Sequence, residues 1–218
     1  MILEDLERSL PKPIVIPPED MRRSAVHEAG HAIVGHALGM RLHEISISPV
    51  VYLNASAIPV FKGGGCDLEK RKDFTDTRDS YLSDVAVSLA GLAAEEVILG
   101  SRGDGGGWSE KGDLFQATLI CARMETTPGL GRTLAVLAPS SGRDDVMRVF
   151  RGHPVVQAAV EQTLREQFDR AKDIITRRKA DVERLASVLL ERHRILGDEA
   201  IAILDSQPRL ELITGGVA

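Results

Sequence analysis

Cysteine is nearly missing from this chain of 218 residues: Cys66 and Cys121 are the only two. Two cysteines cannot build a disulfide framework, so free thiols in a reducing compartment are expected, with Cys121 as a small core residue. Aromatic residues make up only 4%, while Ala, Leu, Ile and Val are abundant, a balance that favours packed helices over a large β-sandwich. Long apolar runs are missing too. The best stretch, residues 82–99, is interrupted by Asp84, Glu95 and Glu96 and falls short of a membrane span. The first ten residues carry Glu4, Asp5, Glu7 and Arg8 where a secretory signal would need an apolar core. A formal charge of −5 makes no electrostatic case for nucleic acid or for direct contact with an anionic membrane. The expectation is a soluble, cytoplasmic chain holding one domain, or one domain with a helical appendage.

What is present is sharper. His27-Glu28-Ala29-Gly30-His31 is an H-E-x-x-H motif inside a stretch whose periodicity predicts a helix. Four residues apart, the two histidines lie on one helical face and can grip one metal ion. Glu28 points about 100° away from His27, within reach of a water on that metal. Two imidazoles, an open position and a nearby carboxylate are what zinc-dependent peptide hydrolysis requires. The bland alternative is a helix bearing two solvated histidines. Val26, Gly30, Ile33, Val34, Ala37 and Leu38 form an apolar arc, with the histidines at its edge. Gly30 and Ala37 would let another backbone approach closely. His36 lies on the opposite side and cannot join the same metal.

Residues 2–10 predict a short amphipathic turn or helix, and Pro11 to Pro18 an extended linker. The metal helix should run from about Glu19 or Asp20 to Gly39. His43 to Ser48 alternates as a strand with Ile45 and Ile47 on one face, and Ser56 to Phe61 is a second, edge-strand candidate containing Pro59. Gly63-Gly64-Gly65 reads as a mobile connection. A helix from about Asp79 to Leu99, capped by Gly100, presents the small residues Ala86, Ala90, Gly91, Ala93 and Ala94 for tight packing on the metal helix. A glycine-rich loop with Trp108 precedes a third helix, about Lys111 to Thr127. Residues 140–152 read as an exposed connection. Val156, Val160, Leu164, Phe168, Ala171 and Ile175 then form one helical stripe, and Leu185, Leu189 and Leu190 begin another, with Asp181 as its candidate cap. Asp198 to Asp205 predicts a short helix. His43, His153 and His193 are expected to be solvated.

Zinc needs a third protein ligand. An H-E-x-x-H-x-x-G-x-x-H arrangement fails, because Val34 and Ala37 occupy the required positions. A glutamate from a following helix (Glu95 or Glu96) or an aspartate from a later one (Asp113) remains open. The run Ala90-Gly91-Leu92-Ala93-Ala94-Glu95-Glu96-Val97-Ile98-Leu99-Gly100, a glycine-rich loop, then Gly112-Asp113-Leu114-Phe115-Gln116-Ala117-Thr118, resembles the peptidase domain of FtsH-type AAA+ zinc proteases. The resemblance extends over roughly residues 20–205. It implies His27 and His31 as zinc ligands, Asp113 as the third ligand, Glu28 as general base, one zinc per chain and no other bound cofactor. Glu95 and Glu96 then hydrogen-bond or orient the metal helix.

The resemblance also implies a mainly α, zincin-like peptidase domain with a small β-sheet or hairpin and a C-terminal helical hairpin. Residues 1–18 would be the end of a preceding ATPase module plus its proline-rich linker. Residues 19–205 would be the peptidase domain, with a metal-site core over 19–140 and a C-terminal helical part over 153–205, and residues 206–218 a tail. Met1 would arise by truncation of a longer parent, itself possibly membrane-tethered. Implied partners are unfolded polypeptide substrates, an AAA+ ATPase module on the same parent through which alone ATP acts, and five further copies in a hexamer. Departures from the family pattern are Gly112 in place of asparagine, Ala90 and Leu92 in place of glycine and arginine, Leu130 in place of methionine, and no arginine–glycine turn within Ser48 to Phe61. They spare the implied ligands and mark a divergent branch.

The resulting expectation is a zinc endopeptidase in which Glu28 activates a zinc-bound water, with substrate extended beside the Ile45–Ser48 or Ser56–Phe61 strand. The alternative is a non-catalytic oligomerisation or adaptor module with a structural zinc site. The intact Glu28 argues against it, since a structural site needs no base.

Overall fold

The computed structural model describes residues 13–52, 63–69, 75–104 and 110–205. Expectations for residues 2–10, 56–61, Trp108 and the 206–218 tail concern positions outside these. Helices dominate, as the scarcity of aromatics suggested. The first, α1 (Pro18–Ala37), begins at Pro17 and Pro18, which have no N–H to leave unpaired, and carries Glu19 and Asp20 at the positive end of its dipole. Gly39, at φ 80°, then turns the chain into strand β2 (Arg41–Ile47).

Strand β1 (Pro13–Val15) pairs antiparallel with β3 (Val50–Tyr52), so the described part of the expected linker is extended but paired. The second sheet has the order β4-β2-β5, with β4 (Gly64–Glu69) and β5 (Arg194–Leu196) both antiparallel to β2. Ile45 and Ile47 point together into the core, as their alternation predicts. Two expectations are corrected. Gly64 and Gly65 are strand residues rather than a mobile connection, paired to Ile47 and Ser46. With β2 flanked on both sides, the Ile45–Ser48 strand has no open edge for substrate. Among the described residues the sheet's outer edges are β4 and β5, and β4 is the one that lies against Glu28.

Helix α2 (Arg78–Leu99) opens on a capping box in which Thr77 Oγ1 accepts from Ser80 N at 3.2 Å and Ser80 Oγ accepts from Thr77 N at 2.8 Å. Gly100, at φ 77°, closes it. The chain continues through α3 (Asp113–Thr126), α4 (Arg143–Gly152), α5 (Pro154–Arg177), α6 (Lys179–Arg192) and α7 (Gly197–Asp205). Helix α4 replaces the exposed connection expected over residues 140–152. Its buried Val146 and Met147 form a stripe too short to stand out among the charged residues around it. Asp181 lies inside α6 rather than capping it, and its carboxylate accepts from Arg178 Nε at 2.6 Å and from Arg184.

Two clusters form the core. One joins α1, α2, β2, α6 and β5; the other gathers α2, α3, α4 and the start of α5. Helix α2 lines both. No helix among the described residues is long and apolar enough to cross a membrane.

The tightest approach is the crossing of α1 over α2. A Cβ on Gly30 would lie 2.5 Å from Ala94 Cβ and 2.7 Å from the Ala90 carbonyl oxygen. Ala37, expected to share this role, is exposed instead. In an isolated helix, replacing glycine by alanine gains about 1 kcal/mol. Here the obstructing atoms belong to a helix backbone and a buried methyl group, which cannot step aside. Gly30→Val is expected to lower the unfolding free energy by about 3 kcal/mol or to prevent folding, read by urea denaturation. Gly152→Ala, whose added Cβ meets nothing within 4 Å, is expected to be near neutral.

Candidate metal centre

Arg23, His27 and His31 follow one another at four-residue spacing and form a single stripe along α1. The His27 ring lies against α2 at Gly91, where a Cβ would come within 2.3 Å of its Nε2. A glycine at 91 is therefore what admits the imidazole. His31 is buried one turn further on, and the two rings stand edge to face with centroids 4.8 Å apart.

The partners of each ring assign its protons. His27 Nδ1 lies 2.7 Å from Glu95 Oε1 and His31 Nδ1 lies 2.8 Å from the Val87 carbonyl oxygen. Both partners only accept, so each Nδ1 carries the hydrogen and each neutral ring presents a bare lone pair at Nε2. These two Nε2 atoms are 3.1 Å apart. Asp113, at the start of α3, brings Oδ2 to 2.9 Å from His27 Nε2 and 3.5 Å from His31 Nε2. Three lone-pair donors thus converge with no hydrogen between them, which requires a cation or an extra proton.

A metal ion satisfies that requirement. The three ligand atoms lie within 4.8 Å of one another. A tetrahedral zinc with bonds near 2.0–2.1 Å holds its ligand atoms about 3.3 Å apart, close to the separations found here. The donor set of two imidazoles and one carboxylate suits zinc and leaves a fourth position. Oxygen partners on both Nδ1 atoms supply the orientation that metal-bound histidines need.

The same electrostatics appear in the titration of the cation-free cluster. Burial opposes charge on His27, but hydrogen bonds to Asp113 and Glu95 outweigh it, and the ring is pushed up to about 10. Burial likewise disfavours the Asp113 carboxylate, yet His27 and His31 hold it well below the usual range. Glu95 is lowered against its own burial by His27, the Gly103 N–H and Arg23. The pocket therefore attracts positive charge, which a proton can supply in the absence of a metal.

Glu95 is the hub of the surrounding bonds. Its Oε2 accepts from Arg23 Nη1 at 2.7 Å and from Gly103 N at 2.6 Å, while Oε1 faces His27. Arg23 Nη1 also donates to the Ser101 carbonyl at 2.8 Å, tying α1 to the chain beyond α2. Glu96 points elsewhere, to Lys172 of α5 at 2.5 Å and Arg102 at 3.2 Å. Both glutamates have structural partners, and Asp113 is the carboxylate that meets the Nε2 atoms of both histidines. Glu28 extends from α1 toward β4, where its Oε1 would lie 2.8 Å from a Cβ on Gly64. Its charge also acts on His27 and on the Cys66 thiol, which burial pushes well above its ordinary value. His43, His153 and His193 are exposed and stand apart from this cluster.

Arg23, Gly91 and Gly64 were not singled out by sequence as parts of the site. Arg23 had a signal, its position one turn before His27. Gly91 was legible only as a small residue, and Gly64 not at all.

Comparison with known proteins points to one family. Residues 14–203 match peptidase family M41. The ATP-dependent zinc metalloprotease FtsH of Thermus thermophilus is 28% identical over 207 residues, covering 90% of this chain and 31% of the relative. Its namesake in Thermotoga maritima is 29% identical over 208 residues, covering 88% and 32%. An ATP-dependent zinc metalloprotease FtsH 3 of Symbiobacterium thermophilum is 28% identical over 203 residues, covering 88% and 30%. The chain thus spans less than a third of the length of these relatives. Matched over nearly its whole length, it belongs to peptidase family M41, as a peptidase domain of the FtsH type of zinc metalloprotease.

Proposed function

We propose that the chain is the zinc-dependent endopeptidase part of an ATP-dependent protease and cleaves unfolded polypeptides. The supporting observation is that one ligand atom each of His27, His31 and Asp113 converges on the helix whose Glu28 carboxylate lies against edge strand β4. In this reading His27, His31 and Asp113 hold zinc, which when bound supplies a Lewis-acidic centre that acidifies water and polarises a carbonyl. Glu28 accepts the proton of the attacking water and returns it to the amine nitrogen as the C–N bond breaks. Glu95, clamped by Arg23 and the Gly103 N–H, keeps His27 in the tautomer that exposes Nε2.

The β4 edge supplies a seat for substrate. Ser48 N donates to the Gly63 carbonyl oxygen at 2.7 Å, so Gly63 and Gly65 turn their backbone groups toward β2. By alternation, Gly64 and Cys66 turn theirs outward. An extended polypeptide pairing there would be read through its main chain, which favours low sequence specificity and an unfolded substrate. Delivery of such chains is assigned to an AAA+ ATPase module preceding residue 19 on the same parent, six copies of which would assemble. Residues 19–205 form the peptidase unit, with its metal-site core over 19–140 and its helical part over 153–205.

Purified protein is expected to bind about one zinc per chain, and Asp113→Ala to lose most of it, measured by metal analysis after dialysis. Zinc held as tightly by Asp113→Ala would reject Asp113 as a ligand. Glu28→Gln is expected to keep zinc and fold while peptide cleavage drops by about 10² or more. Equal inertness of wild type and Glu28→Gln with the ATPase module attached would instead favour a structural zinc site. Because, against its burial, Asp113 and Glu95 push His27 up to about 10, zinc competes there with a proton. Apparent zinc affinity is therefore expected to weaken by about tenfold per unit as pH falls from 8 to 6, as titration with a zinc-competing chelator would measure.

A further inference from the structure

We infer that Gly64 is a positioning residue for the Glu28 carboxylate: its missing side chain is the space in which that carboxylate lies. The inference rests on the assignment of Glu28 as proton acceptor. It starts from a contact rather than from the reaction. A Cβ built on Gly64 would lie 2.8 Å from Glu28 Oε1, 3.0 Å from Glu28 Cγ and 3.0 Å from the Ser46 carbonyl oxygen. The closest of these atoms is the tip of a side chain with rotatable bonds, so the carboxylate yields first to an added methyl group, while the Ser46 carbonyl need give only a few tenths of an ångström.

The neighbouring glycines isolate the effect. Among the described residues a Cβ on Gly65 meets nothing within 4 Å, and one on Gly63 comes no closer than 3.8 Å to Ile16 and 3.9 Å to Ser24. None of the three is at positive φ among the described residues, so their conformation does not demand glycine. Among the described residues, Gly64 alone of this run would bring a Cβ to within 3.0 Å of a neighbour, and the nearest atom is Glu28 Oε1. Strand β4 is anchored independently, through its pairing to β2 and through Leu68, which packs against Gly35 of α1. Displacing the carboxylate leaves that anchorage, and the His27–His31–Asp113 cluster, in place. The residue acts on the reaction through Glu28 and not on the metal.

Gly64→Ala, Gly65→Ala and Glu28→Gln, each in the full-length parent protein with its ATPase module, test the inference. Zinc content, thermal melting and the kcat and KM for peptide cleavage are measured for each, together with the carboxyl 13C resonance of Glu28. Gly64→Ala is expected to keep its zinc and its melting temperature, shift the Glu28 resonance, and lose about a hundredfold in kcat with KM little changed. Gly65→Ala should keep its zinc and leave the Glu28 resonance unmoved. Wild-type kcat and an unmoved Glu28 resonance in Gly64→Ala would overturn the inference while leaving Glu28 as the base. Loss of zinc or of folding in Gly64→Ala, or an equal loss of kcat in Gly65→Ala, would also overturn it, because the strand itself would then be at fault. Full cleavage by Glu28→Gln would overturn the base assignment and this inference with it.

Discussion

The structure depends on how closely α1 and α2 cross. Gly30 meets Ala90 and Ala94 nearly backbone to backbone, and one turn earlier Gly91 receives the His27 ring. That spacing lets Glu95, on α2, reach His27 Nδ1, and lets the Val87 carbonyl reach His31 Nδ1. A wider crossing would separate both imidazoles from the groups that set their tautomers. Packing at an interface of small residues thus determines which nitrogen of each ring carries a lone pair, and hence whether a cation can bind.

The second requirement is a third acceptor from elsewhere in the chain. Helix α3 is fixed by burying Ala117, Cys121 and Ala122 in the cluster it shares with α2 and α5. That burial holds Asp113, at its first residue, over the histidine stripe. Burial alone would favour neutral forms of Asp113 and His27, and only their partners together outweigh it: Asp113, Glu95 and Glu28 for His27, and both histidines for Asp113. The resulting site is charged, partly dry and selective for positive charge. A pocket of that kind is unfavourable unless something occupies it, which agrees with the chain's membership in a zinc metalloprotease family.

The sheet adds direction. β2 is paired on both sides, so β4 alone offers an open edge beside Glu28 among the described residues. The carboxylate and the strand edge lie against each other because Gly64 has no side chain. In the proposed function, chemistry and substrate seating would share one boundary, between the motif helix and strand β4.

Much of this was legible without coordinates. Local patterns determined the helix carrying His27, Glu28 and His31, the Gly100 stop and the inward pair Ile45 and Ile47, because helix and strand periodicities are properties of adjacent residues. The small residues of α2 announced a close neighbour, and the motif run around Glu95 and Asp113 carried the family resemblance. The residues themselves left the third ligand open among Glu95, Glu96 and Asp113, since a carboxylate's partner depends on which helix faces it. Helix α4 went unread because only two of its residues are buried. The glycine run was misread as a loop, since nothing local tells a strand glycine from a hinge. Periodicity and spacing are encoded along the chain, whereas the clamp on Glu95, the lone pairs facing Asp113 and the open edge of β4 exist only between segments far apart in it. Tertiary structure decided those, because each is a distance between atoms that no local pattern constrains.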